Sequence, residues 1–346
     1  MTPDPVGRSK GVTGDGCVAA LLVGLWLLGG GASAQPPAGA GPPASGATAS
    51  GSAAAPAWCA ALPRPRYATL ERVPVPSSWF EVYRVDPDVY AIYEPHQWEE
   101  VISYLVVGRT RALLFDTGMG MGDLRAVVRT LTRRPIEVLN SHTHHDHIGD
   151  NWQFDHVLGL DDAYTAAQAR GLGHGAVAEE VSPASFCGAL PPGFDSASYH
   201  VRPFRITGYV REGTTIDLGG RTLRVLRVPG HAPDALALVD EAHGVLFTGD
   251  TFYEGPIYVF GPGSDFPAYA RSVERLAALA PRLRKVLPAH NLAVSDPSLL
   301  LRLRDATRAV ASGHARGTRD GSVVTYPFDG FSLMVPADSA ATGSAH

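Results

Sequence analysis

The chain predicts an α/β protein, two packed sheets clothed by helices and built as one domain. Three observations carry that expectation. Short runs rich in Val, Ile, Leu, Tyr and Phe recur through the middle of the chain, punctuated by Gly, Pro and Asp turns. Segments of helical spacing are interleaved with them, and the second half repeats the first in outline, the pattern of layered sheets and helices. Apolar residues make up 45% of the 346 positions, enough for a substantial core.

In the first half, strands are predicted over 80–85, 89–93, 101–107 and 112–115, where β-branched and aromatic residues lie between Asp-Pro and Gly-Arg turns. A helix over 122–131 precedes a buried strand over 136–139, and a second helix is expected over 161–170. From 171 to 211 the pattern dissolves into Gly, Pro and Ser, which predicts a loop insertion near any site built here. The second half offers strands over 222–228, 235–239 and 245–247. A helix over 266–279 places Tyr269, Val273, Leu276 and Leu279 at helical spacing behind an Asp265 cap. After a strand end at 286–287, the last helix has Asp296 as cap and Pro297 in its first turn. Its apolar face is Leu299, Leu303, Ala306 and Val310, and Gly313 stops it.

Outside the domain, composition changes. Arg8 and Lys10 precede an apolar run over 17–28, and Ala32-Ser33-Ala34 supplies a small-residue cleavage site, so 1–34 reads as a signal peptide. That run is short for a membrane span, and no Arg-Arg pair precedes it, which favours the general export route over the twin-arginine one. Asp4 and Asp15 are unusual company for such a leader. Residues 35–62, rich in Pro, Ala, Gly and Ser, read as a flexible linker, 63–335 as the domain and 336–346 as a disordered tail. The expected location is periplasmic or secreted. Cleavage after Ala34 would leave only Cys59 and Cys187, which an oxidising compartment would allow to pair; two unconnected thiols are the other reading. The formal charge of −5, with no basic stripe, argues against a nucleic-acid partner and for a small-molecule substrate, with no membrane contact beyond the signal segment. The oligomeric state stays open.

Ser141-His142-Thr143-His144-His145-Asp146-His147 is the most telling stretch, with four imidazoles and one carboxylate after an apolar run. His142 and His144 alternate, so an extended segment points both the same way, while Asp146 and His147 follow where the chain must turn. Imidazole nitrogens with a single carboxylate suit zinc better than magnesium or calcium, which prefer oxygen shells. The bland alternative is a His-rich surface turn. It is weakened by four further metal-capable residues at strand ends, each beside Gly or Pro: Asp116, His231, Asp250 and His290. One such residue would be a turn former or cap. Four in company with the cluster point to a two-metal hydrolytic centre.

In these residues the chain resembles the metallo-β-lactamase superfamily. The family's ordered motifs all occur between Asp116 and His290: an Asp at a strand end, His-x-His-x-Asp-His, a later His, a Gly-Asp and a final His. The resemblance implies a four-layer αββα sandwich with two zinc ions in the cleft between its halves. His142, His144 and His231 would hold one zinc and Asp146, His147 and His290 the other. Asp250 would bridge them, and Asp116 would stand behind the ligands, orienting their imidazoles. His145 fills a variable position. A hydroxide between the metals would attack a carbonyl carbon, with Asp146 as the catalytic group that helps move its proton.

The resemblance also narrows the substrate. Zinc β-lactamases carry Cys or Ser where this chain has Asp250, whereas lactonases and thioesterases of the family carry Asp; export pulls towards the β-lactamase alternative. The Gly-Cys-Gly-Arg and Glu-Tyr segments of glutathione-thioester hydrolases are replaced here by Phe252-Tyr253-Glu254-Gly255-Pro256-Ile257-Tyr258 and His290-Asn291. Iron-dependent persulfide dioxygenases share a similar ligand set, and flavodiiron members would need an acidic residue in place of His144. A zinc-binding protein without catalysis is disfavoured because no ligand is lost. The expectation is therefore an exported binuclear zinc hydrolase of an ester, lactone, thioester or amide. Tyr253 and Tyr258 are candidate donors to the oxyanion, with packing under the next loop as the alternative for both. Trp98 is a candidate flap residue; His96, His156, His174, His200, His243, His314 and His346 read as surface or supporting positions.

Overall fold

A computed structural model describes residues 55–339. The predicted leader, the first part of the linker and the end of the tail lie outside those residues. Among the described residues, no helix is long and apolar enough to cross a membrane.

Eight strands in sequence order form the first sheet. They are β1 (Glu71–Val73), β2 (Glu81–Asp86), β3 (Val89–Tyr93), β4 (Ile102–Val107), β5 (Ala112–Phe115), β6 (Ile136–Leu139), β7 (Val157–Leu160) and β8 (Gly208–Val210). The pairing is antiparallel from β1 to β5 and parallel from β5 to β8. The crossover from β5 to β6 is helix α1 (Leu124–Leu131), whose first turn is capped by the Asp123 carboxylate accepting from the Ala126 N–H. After β6 come the one-turn helix α2 (His145–Ile148), then α3 (Ala163–Gln168) and α4 (His174–Val177).

The second sheet starts with β9 (Thr215–Asp217), β10 (Thr222–Arg227), β11 (Leu236–Asp240) and β12 (Val245–Gly249), all antiparallel. Strand β13 (Pro256–Tyr258) leaves for a third sheet, and α5 (Phe266–Ala277) leads to β14 (Lys285–Pro288), which returns parallel to β12. After α6 (Ser298–Ala311), strands β15 (Thr318–Asp320), β16 (Val323–Phe328) and β17 (Phe331–Pro336) complete the third sheet, with β17 parallel to β13.

Side-chain alternation sorts these elements into layers. On β5, Leu113 and Phe115 point between the sheets, where they join Phe247 and Val245 of β12 and Leu238 of β11 in one buried cluster. Leu114 points the other way, with Val82, Ile92 and Val138, against Leu124, Val127 and Val128 of α1. Leu246 of β12 likewise turns outward to Tyr269 and Val273 of α5, Leu303 and Val310 of α6, and Leu333 of the third sheet. Helix, sheet, sheet, helix is the predicted four-layer order.

Several boundaries differ from expectation. The first helix begins at Leu124 rather than Gly122, because Asp123 caps it. In α6, Asp296 bonds the Ser298 N–H from one position before the N-cap Pro297, and Leu300 takes the buried place expected for Leu299. The segment 171–211 carries α4, short 3-10 turns and β8. Strands β9, β13 and β15–β17 had no sequence signal strong enough to predict them. Chain described as linker and as tail also has structure: Ala57–Ala61 is a 3-10 turn, and β17 runs to Pro336. Cys59, in that turn, is bonded to Cys187, with their Cα atoms 5.7 Å apart. The paired alternative is the one the structure contains.

Candidate metal centre

Each strand of the two central sheets that could deliver a ligand does so at its C-terminal end, where a sheet opens onto a crevice. Asp116 follows β5, His142 and His144 follow β6, His231 follows β10, Asp250 follows β12 and His290 follows β14. Asp116 takes a positive φ of 67°, which turns its carboxylate back so that Oδ1 accepts the Ser141 N–H at 2.6 Å. Gly249 is required by a close approach: a Cβ there would lie 2.5 Å from Ser141 Cβ, so any side chain would push β6 from β12 and part the ligands.

Three imidazoles converge first. His231 Nε2 lies 3.1 Å from His142 Nε2 and 3.0 Å from His144 Nδ1. Beside them Asp146, His147, Asp250 and His290 form a second group that could hold a metal. His147 Nε2 is 2.9 Å from Asp146 Oδ2 and 3.3 Å from Asp250 Oδ1, and His290 Nε2 is 3.0 Å from Asp250 Oδ1. The other Asp250 oxygen, Oδ2, stands 3.5 Å from His231 Nε2 and 3.9 Å from His142 Nε2, so this carboxylate touches both groups. The short helix α2 places Asp146 and His147 on adjacent positions of one turn, a tighter arrangement than the simple bend expected from sequence.

Supporting bonds set the tautomers. His231 Nδ1 faces the Tyr258 carbonyl at 2.6 Å and His290 Nδ1 the Glu99 carbonyl at 2.6 Å, so each donates there and turns an Nε2 lone pair inward. His147 Nδ1 lies 3.1 Å from Asp116 Oδ2, so Asp116 stands behind that imidazole. Thr143, between the first two ligands, donates to Asp234 Oδ2 at 2.5 Å, and Thr165 donates to the same oxygen at 3.0 Å. Asp234 had no sequence signal, because its partners lie on other segments.

Electrostatics divide the two groups. Burial, with His147 and His144 nearby, pushes the His142 imidazole well below its ordinary range, and burial beside His231 takes His144 down to about 3. In the other group burial opposes charge but loses. Asp146 and Asp250 hold His147 well above the usual imidazole value, and Asp250 raises His290. Reciprocally, His147 keeps Asp146 low and His290 keeps Asp250 low.

These residues fit a pair of zinc ions. Converging imidazole lone pairs repel one another unless a cation lies between them, and His147 Nε2 and Asp250 Oδ1, although 2.9 Å from Asp146 Oδ2 and 3.0 Å from His290 Nε2, make no aligned hydrogen bond among the described residues. Imidazole nitrogens with two carboxylates are a donor set that zinc favours.

A solvent-open cavity lies over the centre, with His144, Asp146, His231 and Asp250 on its floor. Trp98, Tyr164, Leu172, Tyr258, Phe260 and Pro262 wall it, and no Lys or Arg lines it. Trp98 therefore faces the cavity, while its indole N–H donates to Glu180 Oε2 at 2.9 Å. Tyr253 also lines the cavity, but its hydroxyl donates to the Pro256 carbonyl three residues on and its ring lies 4.9 Å from that of His290. The expectation of Tyr253 as an oxyanion donor is corrected on that ground: the proton it would offer is already engaged. Tyr258 keeps its hydroxyl free of recorded bonds, and burial holds its phenol above the ordinary range. His145, set aside in the sequence as variable, is buried beside the site against Glu180.

The sequence model of the metallo-beta-lactamase superfamily matches residues 97–314, and the chain belongs to that family. It is a hydrolase of that superfamily. Among curated proteins it is similar to the acyl-coenzyme A thioesterase MBLAC2 of Homo sapiens, 31% identical over 204 residues that cover 54% of this chain and 71% of that one. The protein of the same name from Gallus gallus is 33% identical over 198 residues, with the same coverage. An atrochrysone carboxyl ACP thioesterase of Emericella nidulans is 25% identical over 219 residues, covering 63% of this chain and 57% of that one. Among solved structures, a metallo-beta-lactamase family protein from Thermus thermophilus matches 66% of this chain and 82% of its own, at 22% identity and a TM-score of 0.47.

Proposed function

We propose that the chain is an exported two-zinc hydrolase of acyl thioesters. The observation that carries this reading is the site itself: two ligand groups sharing Asp250 on the floor of a cavity whose far wall is aromatic and aliphatic. Such a wall suits an uncharged acyl group laid over the centre. Relatives named as thioesterases of coenzyme A and carrier-protein conjugates support the thioester among the carbonyl compounds the sequence allows. With no Lys or Arg in the cavity, the phosphates of a coenzyme or carrier arm would remain outside it.

Bound in these groups, zinc would supply a Lewis acid for the carbonyl oxygen and a more acidic water. The chain's own residues do the rest. Asp146 lines the cavity and is placed to take the proton of the attacking water, its Oδ1 standing 3.8 Å from His145 Nδ1. Tyr258 is placed in the wall with a hydroxyl available to the developing oxyanion or to the leaving sulfur. Trp98, Tyr164 and Phe260 exclude water from the acyl group. Export to the periplasm or medium is supported by the Cys59–Cys187 bond, which is stable in oxidising compartments.

The test is a panel on the zinc-loaded chain: a neutral acyl thioester, a p-nitrophenyl ester, an acyl-homoserine lactone and nitrocefin. The thioester is expected to give a kcat/KM at least about tenfold above every other member. A preference for the lactone or nitrocefin would overturn the thioester assignment.

A further inference from the structure

A second cluster of metal-capable side chains adjoins the first and has no part in it. Glu99, His145 and Glu180 bring one ligand atom each within 4.8 Å of one another, a looser gathering than the 3.0 to 3.3 Å contacts inside the principal groups. We propose that these three residues form a third divalent-cation site, of zinc type, in the cavity wall beside Asp146.

His145 gives the strongest sign. It is 7% exposed, and its Nε2 is buried with no hydrogen-bond partner among the described residues. The nearest acceptor, Glu180 Oε1, is 3.7 Å away, too far for a hydrogen bond. Two donors on a tetrahedral zinc at ordinary bond lengths lie about 3.3 Å apart, so that spacing is close to a ligand edge.

Glu180 is held as a ligand carboxylate is usually held. It is 4% exposed; Trp98 Nε1 donates to its Oε2 at 2.9 Å and Gln97 Nε2 to its carbonyl at 3.2 Å, leaving Oε1 directed at His145. Glu99 is fixed through its backbone alone: its N–H donates to Gln97 Oε1 at 2.7 Å and its carbonyl receives His290 Nδ1 at 2.6 Å. Among the described residues no hydrogen-bond donor engages its carboxylate, and Glu99 lines the cavity. Two carboxylates beside Asp146, in a cavity that no Lys or Arg lines among the described residues, share the His145 imidazole as their basic neighbour. One divalent ion balances them.

The segments are tied together in advance. Trp98 N–H donates to the Ser185 carbonyl at 3.0 Å, Gln97 and Phe186 form an antiparallel bridge, and the Cys59–Cys187 bond anchors the same stretch. One nitrogen and two carboxylate oxygens suit zinc. With three protein ligands, a fourth position is left open towards the cavity. A cation there would fasten the 171–211 segment to the site wall and offer that open position to a water or to a polar atom of the substrate.

Zinc content per folded chain decides the proposal, measured by mass spectrometry after equilibration in zinc buffer and gel filtration. Wild type is expected to hold about three ions, and Glu180→Gln and His145→Gln about two each. Two ions in wild type, or three in both variants, would overturn the proposal. If a variant fails to fold, an anomalous map of the wild-type crystal at the zinc edge serves instead. A peak within about 2.3 Å of His145 Nε2 and of both carboxylates supports the site, and its absence in a zinc-loaded crystal refutes it.

Discussion

The two principal ligand groups touch through one carboxylate yet are built from opposite chemistry. His142, His144 and His231 form a set of imidazoles in which burial and mutual repulsion keep His142 and His144 from taking protons. Asp146, His147, Asp250 and His290 form a salt-bridged set in which the carboxylates draw protons onto His147 and His290. The first can accept a cation into ready lone pairs. The second must release protons to do so. One centre therefore contains a preformed half and a half in which protons and metal compete.

Removing the shared residue is expected to have the largest effect. Asp250→Ala should empty both groups and lower turnover by roughly ten-thousand-fold, whereas His144→Ala should cost only the ion of the three-imidazole group. Metal content measured beside kcat separates the two outcomes, and equal losses in both variants would erase the distinction between the groups. A smaller effect is expected behind the ligands. Asp116→Asn keeps the shape but weakens the hold on His147 Nδ1, which lies 3.1 Å away, and should reduce metal affinity of that group about 10- to 100-fold.

The pH dependence sharpens the comparison further. His147 and His290 have raised values, so their protons compete with metal from a higher pH downward; affinity of that group should fall as pH drops through the raised values, by roughly tenfold per unit for each proton displaced. His142 and His144 have lowered values, so protons compete with metal at these two nitrogens only when pH falls well below the usual imidazole range. Zinc titration by calorimetry between pH 8 and about 5.5 should show one affinity collapsing before the other. Parallel loss of both ions would break the contrast.

Much of this was legible because ligands in such a fold advertise themselves locally. An apolar run ending in Asp or His, with Gly or Pro within two residues, marks a strand end, and Asp116, His231, Asp250 and His290 each carried that mark. Helix α5 was legible from the Asp265 cap, which does bond the Ala268 N–H, and from the spacing of Tyr269, Val273 and Leu276. What was missed depends on distant partners. The third sheet exists because β13 lies parallel to β17 across most of the C-terminal region, and β15 is fully exposed and so has no apolar pattern. Glu99, Glu180 and Asp234 are carboxylates on loops, without periodicity, and acquire meaning only from His145, His290 and Thr143. For Tyr253 the sequence left donation and packing both open, because proximity to Asp250 in sequence says nothing about where a hydroxyl finds its acceptor, here the Pro256 carbonyl.

Anomalous scattering at the zinc edge from zinc-loaded crystals tests the central claim most directly. The account predicts one peak among His142, His144 and His231, a second among Asp146, His147 and His290, and an oxygen of Asp250 within bonding reach of each. A crystal in which zinc binds elsewhere while those side chains face one another bare would contradict it.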